Sequence, residues 1–235
     1  MMIKRNSEDR GPTDLGWLKS MHSFSFGHYH DPKHMGFGAL RVINEDRVTP
    51  GAGFGTHPHD NMEIISYVLS GELAHKDSMG NGAVIRAGEI QIMSAGTGVT
   101  HSEYNASNDN EVHFLQIWII PGQRNTLPGY QQRLVDPDTV KNRFAPIIVP
   151  EGSQNDTDLS IKQNATIYLG RFDAGRKEAF KADPNRKYWL QIVRGKGEIA
   201  GQKAQEGDGF AFAGEAFIDL KTLSEAEFLL FNLAA

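Results

Sequence analysis

Cysteine is absent from this 235-residue chain. Its absence excludes disulfide bonds, zinc–thiolate sites and thiol nucleophiles, so any metal ion must be bound by nitrogen and oxygen donors. An excess of basic charge is also missing, because 24 Lys and Arg residues stand against 29 Asp and Glu residues, for a net charge of −5. Surfaces that bind nucleic acid phosphates normally carry a basic stripe. We therefore expect no direct nucleic acid binding.

Long apolar runs are missing as well. A membrane-spanning helix needs roughly 20 consecutive apolar residues, and no stretch of the chain approaches that length. The first residues, MMIKRNSEDRG, are polar and lack the apolar segment of a secretory signal. The sequence therefore predicts a cytoplasmic protein that does not associate with a membrane.

The sequence does contain many short apolar runs separated by glycine and proline, and each run is too short for an ordinary helix. Examples are GALRVIN (38–44), EIISYVLSG (63–71), EIQIMSAG (89–96) and HFLQIWIIPG (113–122), followed later by ATIYLGRF (165–172), KYWLQIVRGKGEIAG (187–201), GDGFAFAG (207–214) and FLLFNLA (228–234). This spacing is typical of antiparallel β-sandwiches and barrels. The polar stretch between the two series, residues 123–143, predicts a connector with one short helix.

The two series resemble each other. SYVLSGELAH and LQIVRGKGEIAG both read as strand, glycine turn and strand, and each is followed by a GE or GD turn that opens another strand. We interpret this as a weak internal repeat, a β-domain used twice. All nine histidines, however, lie at or before residue 113. If the halves share a fold, only the first is able to hold an imidazole-bound metal, and the second is structural or supplies a lid or a partner surface.

Two His-x-His pairs occur in the first half. His28 and His30 lie in GHYHDPKHMGFG, a segment rich in turn residues that predicts a solvated loop, and His22 and His34 belong to the same region. The other pair is His57 and His59, in GFGTHPHDNME. If this segment is a strand, residues i and i+2 project to one face, so both imidazoles are able to contact one ion.

His101 and Glu103, in GTGVTHSEYN, repeat that spacing on another segment. Together with His57 and His59 they would supply three imidazoles and a carboxylate, a set that suits iron(II), manganese, nickel, copper or zinc. The alternative is that His101 and Glu103 form a hydrogen-bonded surface pair. Glu63, four residues after His59, is a second candidate carboxylate or else a buried or rim carboxylate paired with a neighbouring donor. Spacing alone does not decide between Glu63 and Glu103.

These residues resemble the cupin motifs. The first motif is similar to the pattern G(x)5HPH(x)3E, which runs from Gly51 through His57 and His59 to Glu63. The end of the second motif is similar to the pattern GTGxxH(x)3N, which contains His101 and ends at Asn105. The segments 17–46, 53–81 and 88–105 resemble the pirin family, especially its bacterial members similar to quercetin 2,3-dioxygenase. The resemblance is strong over about residues 10–122 and extends over the rest in outline. The departures from general cupin motifs are the Glu63–Gly71 spacing and Gly96.

The resemblance implies an all-β bicupin, with two antiparallel β-barrel (jelly-roll or cupin) domains and few short helices. Residues 1–133 would form the metal-binding domain and residues 134–235 a cupin-like domain without metal. The ligands implied are His57, His59, His101 and Glu103, with Glu63 left as a neighbour or a spare carboxylate. One divalent ion is expected, iron(II) by family likeness, with manganese, nickel, copper and zinc as alternatives.

The activity implied is that of a quercetin 2,3-dioxygenase, which cleaves a flavonol with O2 and releases carbon monoxide. Glu103 would also act as a general base toward the 3-hydroxyl of the substrate. A planar aromatic substrate requires an apolar pocket, for which the sequence offers Met21, Phe24, Phe26, Phe37, Phe54, Met93 and Trp118 as wall residues or, alternatively, as barrel core.

Two other functions compete with this one. Some pirins are non-enzymatic metal-binding regulators that act through protein partners. Isomerisation of a sugar phosphate or a similar carbonyl compound is a second alternative, but it calls for basic residues inside the barrel, and the metal-bearing segments have almost none. His75 and His113 are candidate partners of the ligands, or histidines satisfied in the core or at the surface.

Overall fold

Almost every regular element of the protein is a β-strand. The computed structural model describes residues 1–155 and 158–235. The first twelve strands are β1 (Met2–Arg5), β2 (Gly11–Asp14), β3 (Leu18–His22), β4 (Leu40–Val48), β5 (Gly53–His59), β6 (Glu63–Ser70), β7 (Glu72–Asp77), β8 (Gly82–Arg86), β9 (Glu89–Ser94), β10 (Val99–Asn105), β11 (Val112–Ile119) and β12 (Gly129–Leu134). A 3-10 turn spans Ser7–Asp9.

The helix α1 (Pro137–Val140) separates these strands from the last ten. They are β13 (Phe144–Pro150), β14 (Leu159–Ile161), β15 (Ala165–Phe172), β16 (Lys177–Lys181), β17 (Lys187–Arg194), β18 (Lys196–Ile199), β19 (Gln202–Gln205), β20 (Gly209–Ala213), β21 (Phe217–Thr222) and β22 (Ala226–Leu233). Each apolar run named in the sequence corresponds to one of these strands or, for 187–201, to a pair of them. Within the described residues, no helix is both long and apolar enough to cross a bilayer.

The chain divides into two units. The N-terminal unit comprises Gly11–Val135 and Ile161–Gln163, and the C-terminal unit comprises Met1–Arg10, Asp136–Ser160 and Asn164–Ala235. The domain division expected from the sequence, 1–133 and 134–235, stays a prediction about separable domains. Residues 1–10 cluster with the C-terminal unit because β1 pairs with β20, from Met2 opposite Phe212 to Arg5 opposite Gly209.

Each unit contains a seven-stranded and a four-stranded antiparallel sheet. In the N-terminal unit the strand orders are β12-β9-β6-β11-β4-β3-β2 and β5-β10-β7-β8, and in the C-terminal unit they are β1-β20-β17-β22-β15-β13-β14 and β16-β21-β18-β19. Each strand from β4 to β11 has a counterpart eleven strands later, from β15 to β22, and the counterparts pair with one another in the same order. Two cupin barrels of one topology are therefore present, which confirms the predicted all-β bicupin fold.

One segment differs from the prediction. The polar stretch after Pro121 was expected to be a connector, yet Gly129–Leu134 forms β12, paired with β9 from Gly129 opposite Ser94 to Leu134 opposite Glu89. Its sequence, GYQQRL, lacks an apolar alternation because the side chains that it directs inward are polar. The Tyr130 hydroxyl donates to Gln132 Oε1 at 2.7 Å, and Gln132 donates to the Val84 carbonyl at 3.1 Å.

The two barrels are filled differently. The C-terminal barrel encloses a continuous apolar cluster that includes Phe172, Phe210, Phe212 and Phe228. The described residues of the N-terminal unit include two smaller clusters, one around Leu73 and Phe114 and one around Ile64 and Met93. Its interior also holds a set of buried polar side chains, which are Ser66, Gln91, His101, Glu103 and Gln116. Burying this many polar groups costs free energy unless they are paired, so they indicate where a site lies.

Candidate metal centre

The candidate donors lie on two neighbouring strands of the four-stranded sheet of the N-terminal unit. β5 pairs with β10 so that His57 is opposite His101 and His59 is opposite Val99. A bulge between His101 and Glu103 shifts the register of this pair. His57 and His59 are half-buried, whereas His101 and Glu103 are 2% and 1% exposed. Because alternate residues of a strand share a face, all four side chains project to the barrel side.

Three imidazoles converge. The ring centroids are 4.7 Å apart for His57 and His59, 4.5 Å for His57 and His101, and 4.9 Å for His59 and His101. The Nε2 atoms of His57 and His101 are 3.1 Å apart. One ring nitrogen from each of the three residues lies within 4.8 Å of the other two.

The tautomer of His57 is set by the backbone. His57 Nδ1 lies 2.7 Å from the carbonyl oxygen of Gly55, two residues earlier on β5. A carbonyl only accepts, so Nδ1 carries the proton and Nε2 presents a lone pair toward His101. Orientation of a metal-binding imidazole by a hydrogen bond at its other nitrogen is the usual arrangement.

The remaining two imidazoles are neutral at ordinary pH. Burial, reinforced by the neighbouring His57, lowers the pKa of His59 to about 4. Burial and the surrounding histidines lower the pKa of His101 to about 3. Neutral imidazole is the form that binds a cation, so at these two residues a metal ion need not displace protons.

Glu103 is held from two sides by hydrogen-bond donors. Its Oε1 accepts from the Ser66 hydroxyl at 3.1 Å and its Oε2 from Gln116 Nε2 at 3.2 Å. Burial raises the pKa of this carboxyl, and these hydrogen bonds offset part of the shift. One Glu103 oxygen lies within 4.8 Å of a ring nitrogen of His101 and within 4.8 Å of a ring nitrogen of His75.

The structure therefore places the four predicted ligands in two groups that overlap at His101. His57, His59 and His101 form the first group, and His75, His101 and Glu103 form the second. Glu63, the other candidate carboxylate, is used elsewhere: its Oε2 accepts from the Ser94 hydroxyl at 2.8 Å and from the Lys162 backbone N–H at 3.3 Å.

The donors fit a divalent cation. Ligands at right angles around an ion bound at about 2.1 Å lie about 3.0 Å apart, close to the 3.1 Å between the two Nε2 atoms. Two lone pairs facing each other at that distance repel unless a cation or a proton lies between them. His101 Nδ1 and His75 Nδ1 are also buried and have no hydrogen-bond partner within the described part of the chain.

The first group opens on a pocket of about 480 Å³. Most of the pocket wall is apolar and comes from Leu15, Trp17, Leu18, Phe26, Phe54 and Trp118, while His57 and His59 lie at one side. Trp118 packs edge-on against His59, with ring centroids 5.0 Å apart. Of the seven wall residues expected from the sequence, Phe26, Phe54 and Trp118 line this pocket. Met93 belongs instead to a buried cluster, and Phe24 is buried as well.

Sequence reasoning missed some polar residues of the pocket. Asp46 on β4 lines it, is 2% exposed, and has an Oδ1 atom without a hydrogen-bond partner in the described structure. Burial raises the pKa of Asp46 to about 7, against the effect of the Ser20 hydroxyl. The one available signal in the sequence is that Asn44 and Asp46 are two residues apart, so their side chains share one face if the segment is a strand.

His22 also lines this pocket. The sequence predicted a solvated loop for His22, and that prediction is wrong, because His22 is the last residue of β3 and is 3% exposed. Its Nδ1 donates to Asn44 Oδ1 at 2.7 Å, and its Nε2 accepts from the Thr13 hydroxyl at 2.8 Å. Pairing both nitrogens of a buried imidazole avoids the cost of an unsatisfied polar atom, and β2 and β4 supply the two partners of His22.

Family models match both parts of the chain. Residues 4–119 match the pirin model, and residues 147–233 match the model of the quercetinase C-terminal cupin domain. Two proteins named quercetin 2,3-dioxygenase, from Escherichia coli K12 and O157:H7, are each 43% identical to the chain over 233 residues, 99% of either sequence.

Solved structures agree with these matches. The crystal structure of the bacterial pirin YhhW from Escherichia coli in complex with nickel(II) superposes with a TM-score of 0.94 at 42% identity, and the match covers 100% of this chain and 99% of that one. A quercetin 2,3-dioxygenase from Acinetobacter baumannii superposes with a TM-score of 0.78 at 18% identity, which shows a shared fold.

Proposed function

The chain belongs to the pirin family of two-domain cupins, and we propose from this premise that it is a metal-dependent dioxygenase that cleaves flavonols of the quercetin type with O2. Both oxygen atoms enter the ring-opened product and one carbon leaves as carbon monoxide. One observation carries the proposal: three imidazoles converge on one point at the side of an apolar pocket large enough for a planar aromatic molecule. The names of the similar Escherichia coli proteins support it.

His57, His59, His101 and Glu103 are the proposed ligands of one divalent cation. Iron(II) is the ion that we propose in the cell, and the nickel(II) complex of the similar Escherichia coli pirin supports a divalent ion at this centre. A bound cation would act as a Lewis acid toward the substrate oxygens. Imidazole and carboxylate donors are also compatible with manganese, copper and zinc.

The pocket residues bind and orient the substrate. Trp17, Phe54 and Trp118 offer ring surfaces for a flat aromatic ligand, and aromatic contacts of this kind restrict the tilt of such a ligand. The apolar wall also excludes water, which strengthens electrostatic interactions inside the pocket. The substrate hydroxyl that loses its proton would therefore be held next to the imidazole group.

Glu103 is the proposed general base for that proton. Burial raises the pKa of its carboxyl, which makes the carboxylate a better proton acceptor near neutral pH. The role requires the substrate hydroxyl to come within about 3 Å of Glu103. Gln116, which lines the pocket and donates to Glu103, connects the carboxylate to the substrate side.

The test is flavonol consumption by protein of known metal content. Protein loaded with iron(II) is mixed with quercetin with and without O2, and loss of the flavonol absorption and release of carbon monoxide are followed. We expect turnover only with O2, and we expect His57→Ala to abolish turnover and to lower the metal content. Metal-loaded protein that leaves quercetin unchanged in the presence of O2 would contradict the proposal.

Two carboxylate variants separate the proposed roles. Glu103→Gln is expected to lower turnover by about 10²-fold or more if the group is the base, and metal analysis of the same sample shows whether it is also a ligand. Glu63→Gln is the matched control, since this buried carboxylate bonds Ser94 and Lys162. It should retain metal and turnover.

A further inference from the structure

A fourth imidazole, that of His75, lies beside the metal centre on its inner side. His75 is on β7, directly opposite Glu103 in the pairing of β7 with β10. Its side chain is 3% exposed, and its ring centroid is 5.3 Å from that of His101. The His75 ring also packs against Tyr130, with centroids 4.9 Å apart. The sequence placed His75 only as a neighbour of the ligands or a core histidine.

A carboxylate sets the tautomer of His75. His75 Nε2 is 3.1 Å from Asp77 Oδ2. Asp77 also accepts from the backbone N–H groups of Met79 and Asn81 and from the Asn81 side chain, at 2.9 to 3.0 Å. Burial raises the pKa of Asp77, but these hydrogen bonds outweigh burial and leave the pKa below its ordinary value. Asp77 is therefore an ionised acceptor, and Nε2 of His75 is the nitrogen that carries the hydrogen.

The other nitrogen of His75 is then a lone-pair donor. His75 Nδ1 is buried without a hydrogen-bond partner in the described residues. An unpaired buried polar atom is costly and calls for a specific explanation. Carboxylate, imidazole and metal ion in line form a common arrangement, in which the carboxylate holds one nitrogen and the cation the other.

Suitable partners for a shared cation are adjacent. A ring nitrogen of His75, a ring nitrogen of His101 and an oxygen of Glu103 lie within 4.8 Å of one another. Donors on opposite sides of an ion bound at about 2.1 Å are about 4.2 Å apart, so small side-chain movements close the group around an ion. Glu103 meets His101 and His75 in this group, and none of these three residues is among those that line the pocket, whereas His57 and His59 are.

We propose that His75 is a fourth imidazole donor of the metal centre and forms, with His101 and Glu103, an inner coordination position beside the outer one formed by His57, His59 and His101. The two positions share His101, and we expect the chain to bind one cation in total. The outer position faces the pocket, because His57 and His59 line it. The inner position would retain a divalent cation that prefers imidazole, such as nickel or cobalt, when outer donors are lost. The inference rests on the proposed function only in requiring that the centre binds a divalent cation.

Nickel(II) binding to the metal-free protein tests the inner position independently of turnover. His57→Ala/His59→Ala removes the outer donors but retains His75, His101 and Glu103. We expect this double variant to bind one nickel ion more weakly than the unaltered protein but measurably by isothermal titration calorimetry. Adding His75→Gln, which keeps a donor for Asp77 but loses the imidazole, should weaken this residual binding by at least about 10²-fold.

The matched control is His113→Gln in the same double variant. His113 is also a buried imidazole on a carboxylate, with Nε2 3.0 Å from Glu45 Oε1, but it lies outside both donor groups. It should leave the nickel affinity within about twofold. Direct counting of imidazoles by X-ray absorption on the nickel-loaded double variant needs no change at His75, and we expect two.

Three results overturn the inference: a folded double variant that binds no nickel, residual binding that ignores His75→Gln, or a single imidazole on the bound ion. In each of these cases the unaltered protein still binds nickel, and the proposed dioxygenase function stands. If the unaltered protein binds no divalent cation, both proposals fail.

Discussion

One backbone oxygen and one carboxylate decide which nitrogens of this centre are available to a cation. The Gly55 carbonyl holds Nδ1 of His57, and Asp77 holds Nε2 of His75, so the remaining nitrogen of each ring is a lone-pair donor. Neither residue differs in chemical type from the exposed His28 and His30. What separates the two kinds of histidine is the neighbouring acceptor, since an imidazole in water exchanges its tautomers freely.

Asp46 makes the stability of the protein depend on pH. Burial raises its pKa from 3.8 to about 7, so the folded state binds a proton that the unfolded state has released between these values. The folded state is therefore favoured below about pH 4, and it loses stability as the pH rises to 7. Asp46→Asn removes this titration. We expect the stability of the variant relative to the unaltered protein to increase by ~2–3 kcal/mol from pH 5 to pH 8.

Urea denaturation of both proteins at pH 5 and pH 8 measures this change. Other titrating groups, including His59 and His101, are common to both proteins and cancel in the comparison. A stability difference that is the same at the two pH values would show that Asp46 is ionised in the folded state as it is in water.

At the scale of single elements, the pairing of β5 with β10 holds the outer donors in register. Gly53 makes this pairing close: a Cβ atom there would lie 2.3 Å from the Glu103 carbonyl oxygen and 2.5 Å from Tyr104 Cα. Those atoms belong to the backbone of β10 and have little room to yield. In the sequence, Gly53 is simply the first residue of the segment GFGTHPHDNME, and nothing there marks it as a contact.

Gly53→Ala is expected to push β5 away from β10 and to lower the free energy of unfolding by about 1–3 kcal/mol. Nickel affinity should fall with it, because His57 moves relative to His101. Gly55→Ala is the control on the same strand, since its Cβ would meet nothing nearer than the Tyr104 hydroxyl at 3.8 Å. Equal effects of the two substitutions on nickel titration and on thermal unfolding would disprove this account of Gly53.

At the scale of the whole molecule, one barrel topology supports two different interiors. In the C-terminal unit, β16 and β21 correspond to β5 and β10, and they contribute Phe180, Ile218 and Leu220 to an apolar core. A core of this kind stabilises its unit by burial alone. The N-terminal unit instead places imidazoles and carboxylates in its interior, and these groups favour folding most when they bind a cation.

Metal binding should therefore stabilise the protein with a stoichiometry of one. All nine histidines lie between residues 22 and 113, and a ligand that binds only the folded state at 100 times its dissociation constant adds about 2.7 kcal/mol. We expect saturating nickel(II) to raise the melting temperature measured by calorimetry, and a chelator to reverse it. His57→Ala should reduce the increase. Two bound ions per chain, or an unchanged melting temperature, would contradict this expectation.

The sequence by itself determined the features that depend on local geometry and composition. Short apolar runs separated by glycine and proline predicted the strands, the zero cysteine count restricted the donors to nitrogen and oxygen, and the His57-x-His59 spacing placed two imidazoles on one face. These inferences succeed because the direction of a side chain along a strand follows from the backbone of that strand alone. The resemblance to pirins added the bicupin fold and the proposed ligand set.

Only the tertiary structure decided which strands are neighbours. The pairing of β10 with β7 as well as β5 placed His75 beside Glu103, and the hydrogen bonds of Glu63 to Ser94 and Lys162 took that carboxylate away from the centre. The burial of Asp46 and His22, and the close approach of Gly53 to β10, likewise depend on chain segments that are distant in the sequence. Strand pairing is a long-range choice made by the packing of the whole barrel, and no local period encodes it.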